Sequence, residues 1–212
     1  MALLNIREIN PTTYLGFWEI TEPPETLQEL LQAATGNQLT IPSFASTTRQ
    51  RQWLSSRILA YTLLQKFTDA FIPLHTNKNG KPVFDNDSYL ISITHSGQLV
   101  AVILSEQNKV GIDIEIISPK VLRVTDKFMS PAERTDAAGD IEKTLIYWSA
   151  KETLYKLYSK KQLIFKEDIL IEPFGLKQPG TLTTRIKTPD SEETYPVHYE
   201  KMSGYILTYC LA

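Results

Sequence analysis

The chain has 212 residues, 42% of them apolar and 22% charged, and 22 basic against 24 acidic side chains leave a net charge of −2. That length holds one large domain or two small ones, and only 12 prolines and 9 glycines exclude collagen-like and low-complexity classes. The charge balance argues against a broad footprint on duplex nucleic acid, although it is compatible with a local basic pocket. Cys210 is the single cysteine, so one chain forms neither a disulfide framework nor a zinc cluster, and a buried lone thiol suits a reducing compartment. Residues 1–7 lack the basic and apolar regions of a signal peptide, and no apolar run approaches the roughly 18 residues that span a bilayer. The expected setting is the cytoplasm, without a membrane partner.

Taken in order, the first residues alternate poorly, and the first clear strand covers 14–20, rich in aromatic and branched side chains. Residues 21–24 form a turn into a proline-started helix over 25–34, with Leu27, Leu30 and Leu31 on one face and Gly36-Asn37 closing it. A longer helix runs over 46–67, where Trp53, Leu54, Ile58, Tyr61, Leu64 and Phe67 keep helical spacing. The cluster Asn77-Lys-Asn-Gly-Lys-Pro82 reads as a turn. Three short strands follow, over 89–94, 99–105 and 110–114. The polar link 106–109 divides the chain into halves of 1–108 and 109–212. In the second half Ser130-Pro-Ala-Glu133 opens a helix with a capping box, and 141–159 is a long helix. Residues 163–165, 169–172, 181–186, 196–200 and 205–211 read as an antiparallel set. Helices segregated against antiparallel strands define an α+β class.

The chemistry-bearing residues lie on these elements. Asp113 and Glu115 sit two apart on a strand, so both carboxylates share one face while Ile112, Ile114 and Ile116 take the other. Such a pair suits Mg²⁺, which takes one or two carboxylates and fills its remaining positions with water and phosphate. An amphipathic strand with a solvated acidic face has the same pattern. Glu152 and Lys156 are four apart on the long helix, which fits an ordinary surface pair. The apolar neighbours Leu145, Trp148, Leu154 and Leu157 instead favour a buried helix, where such charges need partners. His95 ends an apolar strand, placed either to donate to an anion or to bond a backbone carbonyl. Lys81 sits on a turn beside Pro82. Arg49, Arg51 and Arg57 open the 46–67 helix, either as a phosphate-binding cluster or as a solvated flank.

In order along the chain, Asn79-Gly-Lys-Pro82, Ile93-Thr-His-Ser96, Val110-Gly-Ile-Asp-Ile-Glu115, Phe128-Met-Ser-Pro-Ala-Glu133 and Trp148-Ser-Ala-Lys-Glu-Thr-Leu-Tyr-Lys156 resemble the 4′-phosphopantetheinyl transferases, in particular the larger surfactin-synthetase-activator type. The motifs cover about residues 46–160. The resemblance implies two similar α+β halves related by a pseudo-two-fold, with coenzyme A in the cleft between them. It implies Mg²⁺-dependent (or Mn²⁺-dependent) transfer of the phosphopantetheine arm to a serine of an acyl or peptidyl carrier protein, releasing adenosine 3′,5′-bisphosphate. By motif, Asp113, Glu115 and Glu152 would hold the metal, Glu152 would serve as base directly or through water, and Lys156 would neutralise or protonate the leaving phosphate. His95, Thr94 (often serine in the family) and Lys81 would contact coenzyme A phosphates, and Arg51, with Arg49, the 3′-phosphate. Two halves in one chain imply a monomer. Phe128 and Met129 are candidates for carrier docking or for the core. The competing readings are a coenzyme A-binding regulatory homologue without turnover and a metal-dependent nucleotide-binding module. Against the second, neither a G-x-x-x-x-G-K-[ST] nor a G-x-G-x-x-G run is present.

Overall fold

The structure, a computed structural model, describes residues 3–36, 38–85, 87–159 and 163–212. Asn37, expected to help close the first helix, lies outside them. The chain divides into two compact units, Met1–Lys109 and Val110–Ala212.

In the first unit, β1 (Leu3–Asn10) and β2 (Thr13–Glu19) form a hairpin, followed by α1 (Pro24–Thr35) and α2 (Thr47–Leu64). A two-stranded pair, β3 (Leu74–Thr76) and β4 (Pro82–Phe84), brackets the 77–82 turn, and β5 (Leu90–Ser96) and β6 (Leu99–Ser105) complete the unit. The antiparallel sheet runs β1-β2-β6-β5, and β6 is buried along its whole length. The first residues, whose poor alternation marks no clear strand in the sequence, form β1. Strand β1 lies at the sheet edge, is mostly exposed or half-buried, and slips register at both ends, which removes the alternation that marks a half-buried strand. Helix α1 starts with Pro24 at its first position and ends on Gly36 at φ +58°, the left-handed stop that glycine favours. Helix α2 is capped by the Ser46 side chain, which accepts from the Arg49 amide, and packs on β2 and β6.

The second unit opens with β7 (Val110–Ile116), a short 3-10 helix (Pro119–Val124), α3 (Thr125–Phe128) and α4 (Pro131–Ala137). The long helix α5 (Ile141–Tyr158) and a single turn, α6 (Phe165–Asp168), precede β8 (Ile169–Ile171), β9 (Gly180–Lys187), β10 (Glu192–Met202) and β11 (Tyr205–Leu211). The sheet order β7-β11-β10-β9-β8 is antiparallel throughout and pairs β7 with the last strand of the chain. The α+β class is that of the structure. Two expectations differ. Residues 163–165 are not a strand: Phe165 begins α6, where the Asp168 carboxylate accepts from the Ile164 amide and closes a helical turn. Phe128 and Met129, considered for a docking surface, are 1% and 2% exposed and belong to the core around α5.

The capping box at Ser130 forms in both directions: the Ser130 hydroxyl accepts from the Glu133 amide, and the Glu133 carboxylate accepts from the Ser130 amide. Glu133 also accepts from the Ile171 amide at 3.0 Å and from Lys151 Nζ at 2.8 Å. Lys151 is 0% exposed and donates further to the Phe165 and Ile169 carbonyls at 2.9 and 2.7 Å. Burial pulls the Lys151 ammonium below its ordinary range while Glu133 opposes that shift. Because removing one partner of a buried pair leaves the other uncompensated, Lys151→Met is expected to cost about 3–5 kcal/mol in denaturant unfolding.

Helix α5 packs on β7 and β11, and the approach is closest at Gly111. A methyl group there would fall inside the Thr153 carbonyl oxygen and 3.2 Å from Leu157 Cβ. At Gly16 of β2 the nearest obstacle is instead the flexible end of Leu59, 2.8 Å away. Backbone does not yield as a leucine tip does. Gly111→Ala is therefore expected to lose roughly 1–3 kcal/mol or more and Gly16→Ala clearly less, with thermal melts of both variants as the check.

Candidate active site

The second unit gathers Asp113 and Glu115 of β7 with Glu152 and Lys156 of α5. The period-2 geometry of β7 sends both acids to one face, and adjacent residues of α5 meet them there. Ser149 Oγ donates to Asp113 Oδ2 at 2.9 Å, and Trp148 Nε1 donates to Glu115 Oε1 at 2.8 Å. Lys156 Nζ reaches Asp113 Oδ1 at 2.8 Å and the Ile112 carbonyl at 3.0 Å. Asp113 is only 4% exposed, so the picture of a solvated acidic face does not hold. Lys156 keeps 28% of its side chain exposed, so the side chain borders solvent while its ammonium is bonded to Asp113 and the Ile112 carbonyl.

Glu152 completes the group. Burial pushes its carboxyl up to about 7, the charges of Asp113 and Glu115 add to that shift, and Lys156 opposes it. A carboxyl held near neutrality beside two others has the chemistry to take up and release a proton. Among the described residues no three His, Cys, Asp or Glu groups are gathered closely enough to enclose a metal ion by themselves. The donor set nevertheless fits Mg²⁺, a hard cation that takes one or two carboxylates and draws its other oxygens from phosphate and water. Repulsion among the three carboxylates, felt at Glu152, is what a divalent cation would relieve.

The remaining expected residues belong to the first unit. Thr94 and His95 are successive residues of β5, the threonine buried and the histidine exposed. Lys81 sits in the 77–82 turn, where the Asn77 side chain accepts from the Asn79 and Lys81 amides and Gly80 takes φ +83°. Burial lowers the Lys81 ammonium from its ordinary range, and Lys109 adds to the shift. Arg49 is exposed. Arg51 has a structural role: its Nε and Nη2 donate to the Glu22 and Ile20 carbonyls, both at 2.9 Å, and strap α2 to the segment after β2. Arg57 is neither solvated nor part of an open basic cluster. It is buried, lies 4.8 Å over the Trp53 ring, donates to Ser56 Oγ, and burial lowers it to about 10.

The sequence motif contains Ser149 without marking a task for it, and Thr208 stands outside the motifs. Thr208 lies opposite Asp113 in the β7–β11 register and contacts Ser149 Oγ at 2.9 Å. The position of Ser149 beside Trp148 and one turn before Glu152 was the available signal. Thr208 had none, because a pairing between strands nearly a hundred residues apart leaves no local trace.

Residues 109–210 match the model of the 4′-phosphopantetheinyl transferase superfamily, and residues 37–105 match that of the 4′-phosphopantetheinyl transferase N-terminal domain. The chain belongs to the 4′-phosphopantetheinyl transferase superfamily. Among curated relatives of this superfamily, the 4′-phosphopantetheinyl transferase Sfp of Bacillus subtilis is 31% identical over 149 residues, 66% of this chain and 63% of Sfp. A putative 4′-phosphopantetheinyl transferase of Haemophilus influenzae is 31% identical over 136 residues, 59% of this chain and 57% of that protein. The transferase AcpT of Salmonella typhi is 25% identical over 122 residues, 56% of this chain and 59% of AcpT. The chain thus spans less than two-thirds of the length of these relatives. No helix among the described residues is long and apolar enough to cross a membrane.

The raised Glu152 carboxyl sets a direction for stability against pH. A group whose folded value lies above its ordinary 4.5 stabilises the fold fully below about 4.5, and that contribution is lost as pH rises through about 7. Glu152→Gln cannot ionise. In metal-free buffer its melting temperature is expected to gain on that of the unsubstituted protein between pH 5 and pH 8, read by thermal melts across the range.

Proposed function

We propose that this chain transfers the 4′-phosphopantetheine arm of coenzyme A to a serine hydroxyl of an acyl or peptidyl carrier protein. The observation that carries the reading is the group on α5 and β7: a carboxyl near neutrality, a lysine bordering solvent, and two acids held by side chains of α5. The attacking serine oxygen forms a bond to the phosphorus on the pantetheine side of the diphosphate, and the bond to the adenosine-side phosphate breaks. Glu152, directly or through a water, takes the serine proton, and a carboxyl poised near 7 both accepts and returns a proton readily. Lys156 neutralises charge on the departing adenosine 3′,5′-bisphosphate. Asp113, Glu115 and Glu152 would hold Mg²⁺, or Mn²⁺ in its place, which supplies charge neutralisation on the diphosphate.

Lys81, Thr94 and His95 are the proposed contacts to coenzyme A phosphates, with exposed Arg49 ahead of Arg51 for the 3′-phosphate, since Arg51 is engaged by two backbone carbonyls. A groove of about 460 Å³ beside Glu115, lined by Ile116, Lys120, Val121, Val124, Leu145 and Trp148, supports docking of an acidic, helical carrier in place of the buried Phe128 and Met129. We propose a cytoplasmic monomer as the working form.

Intact-mass measurement of an apo carrier protein incubated with the chain, coenzyme A and Mg²⁺ tests the reading. A gain of one phosphopantetheine arm, absent in EDTA, is the expected result; no gain with several carrier types, together with no coenzyme A binding, refutes it. In the same assay Asp113→Ala and Glu152→Ala are expected to lose transfer, by about 10²–10⁴ where the base is removed, and Lys156→Ala to lower mainly kcat.

A further inference from the structure

Behind Asp113 lies a run of three hydroxyl groups that the proposed reaction does not use. Ser149, Thr153 and Thr208 are each 0% exposed. Ser149 Oγ lies 2.9 Å from Asp113 Oδ2 and 2.9 Å from Thr208 Oγ1, and Thr208 Oγ1 lies 2.7 Å from Thr153 Oγ1. Each hydroxyl owns a single proton, so three protons serve four contacts: Ser149 with Asp113, Ser149 with Thr208, Thr208 with Thr153, and Thr153 with the Thr208 carbonyl. Asp113, ion-paired to Lys156, only accepts, so the Ser149 proton goes to Oδ2. The contact between Ser149 and Thr208 then needs the Thr208 proton. The 2.7 Å contact between Thr208 and Thr153 then takes the Thr153 proton in preference to the longer, 3.2 Å contact of Thr153 with the Thr208 carbonyl. The assignment that keeps the three shortest contacts runs Thr153 to Thr208 to Ser149 to Asp113, with the three hydroxyl dipoles aligned toward the carboxylate.

Aligned hydroxyls polarise one another, most effectively in a dry interior. The run also pins the carboxylate between two elements. Thr208 stands opposite Asp113 in the register of β7 and β11, while Ser149 and Thr153 come from successive turns of α5.

Resting on the reading above, in which Asp113 holds the divalent cation, we propose that Ser149 and Thr208 are positioning residues: the polarised hydroxyl chain sets the orientation of the Asp113 carboxylate and thereby the affinity for the metal. Ser149→Ala removes the donor to Oδ2. Thr208→Val keeps the shape of the side chain, touches no carboxylate, and takes away the proton that polarises Ser149.

Mn²⁺ binding, followed by electron paramagnetic resonance with and without coenzyme A, is the test, with a thermal melt of each variant alongside. Ser149→Ala is expected to weaken Mn²⁺ binding by about tenfold or more, within the roughly 10–100-fold range for loss of a partner behind a metal ligand. Thr208→Val is expected to weaken it in the same direction by a smaller factor, with the half-saturating Mg²⁺ concentration for transfer rising more than kcat falls. Unchanged Mn²⁺ affinity in folded Ser149→Ala or folded Thr208→Val, even with a lowered melting temperature, reduces the chain to packing and overturns the proposal. Absence of Mn²⁺ binding by the unsubstituted protein, with coenzyme A present, overturns the metal reading itself and the proposal with it.

Discussion

Helix α5 and strand β7 meet at Gly111, where even a methyl group would strike the Thr153 carbonyl, and this closeness sets the reach of every polar side chain around the acids. A serine is short. Ser149 spans the gap to Asp113 only because the two backbones lie so near, and a lysine one turn past Glu152 bends back to the same carboxylate rather than extending into solvent. Trp148, one residue earlier on the helix, is long enough for Glu115, which lies nearer the end of the strand. The matching of side-chain length to backbone separation is what draws these side chains into one hydrogen-bonded cluster.

The last two residues of the Trp148-Ser-Ala-Lys-Glu motif show how burial sorts charged side chains into unlike tasks. Lys151 and Glu152 are neighbours in the chain, yet helical geometry turns them about 100° apart. Lys151 enters the core, finds a carboxylate and two carbonyls, and is fully committed to structure. Glu152 turns toward Asp113 and Glu115, where burial and their charges oppose its own more than Lys156 compensates it. Compensation yields a fixed ion pair. Opposition yields a group whose proton is loosely decided, and that suits proton transfer.

How much of this the amino-acid order reveals depends on the distance between the partners. Local rules were sufficient for the shared face of Asp113 and Glu115, for the helix 141–158, and for the capping box at Ser130, because strand period, helical period and cap chemistry act within a few residues. They failed where a partner is remote or exposure removes the pattern. Strand β1 loses its alternation at the sheet edge, Phe165 stands in an apolar stretch that looks extended although a carboxylate three residues on closes a turn, and Arg51 carries no mark that two backbone carbonyls await it. Phe128 and Met129 are apolar in the sequence whether they face a partner or the core; only the fold decides. Thr208 is the clearest case, a residue placed beside Asp113 solely by long-range strand pairing.

Glu133 has one carboxylate and three obligations. It closes the capping box of α4, neutralises the buried ammonium of α5, and accepts from an amide of β8. None of these elements is able to open alone without stranding a buried charge or an unpaired amide belonging to another. Segments separated by some forty residues are thereby bound into one cooperative block, whose amides should exchange with solvent together and at the cost of a collective opening rather than by local fraying. The helix that carries Glu152 and Lys156 is anchored in that block, so the proposed catalytic side chains ride on a part of the molecule that opens only collectively.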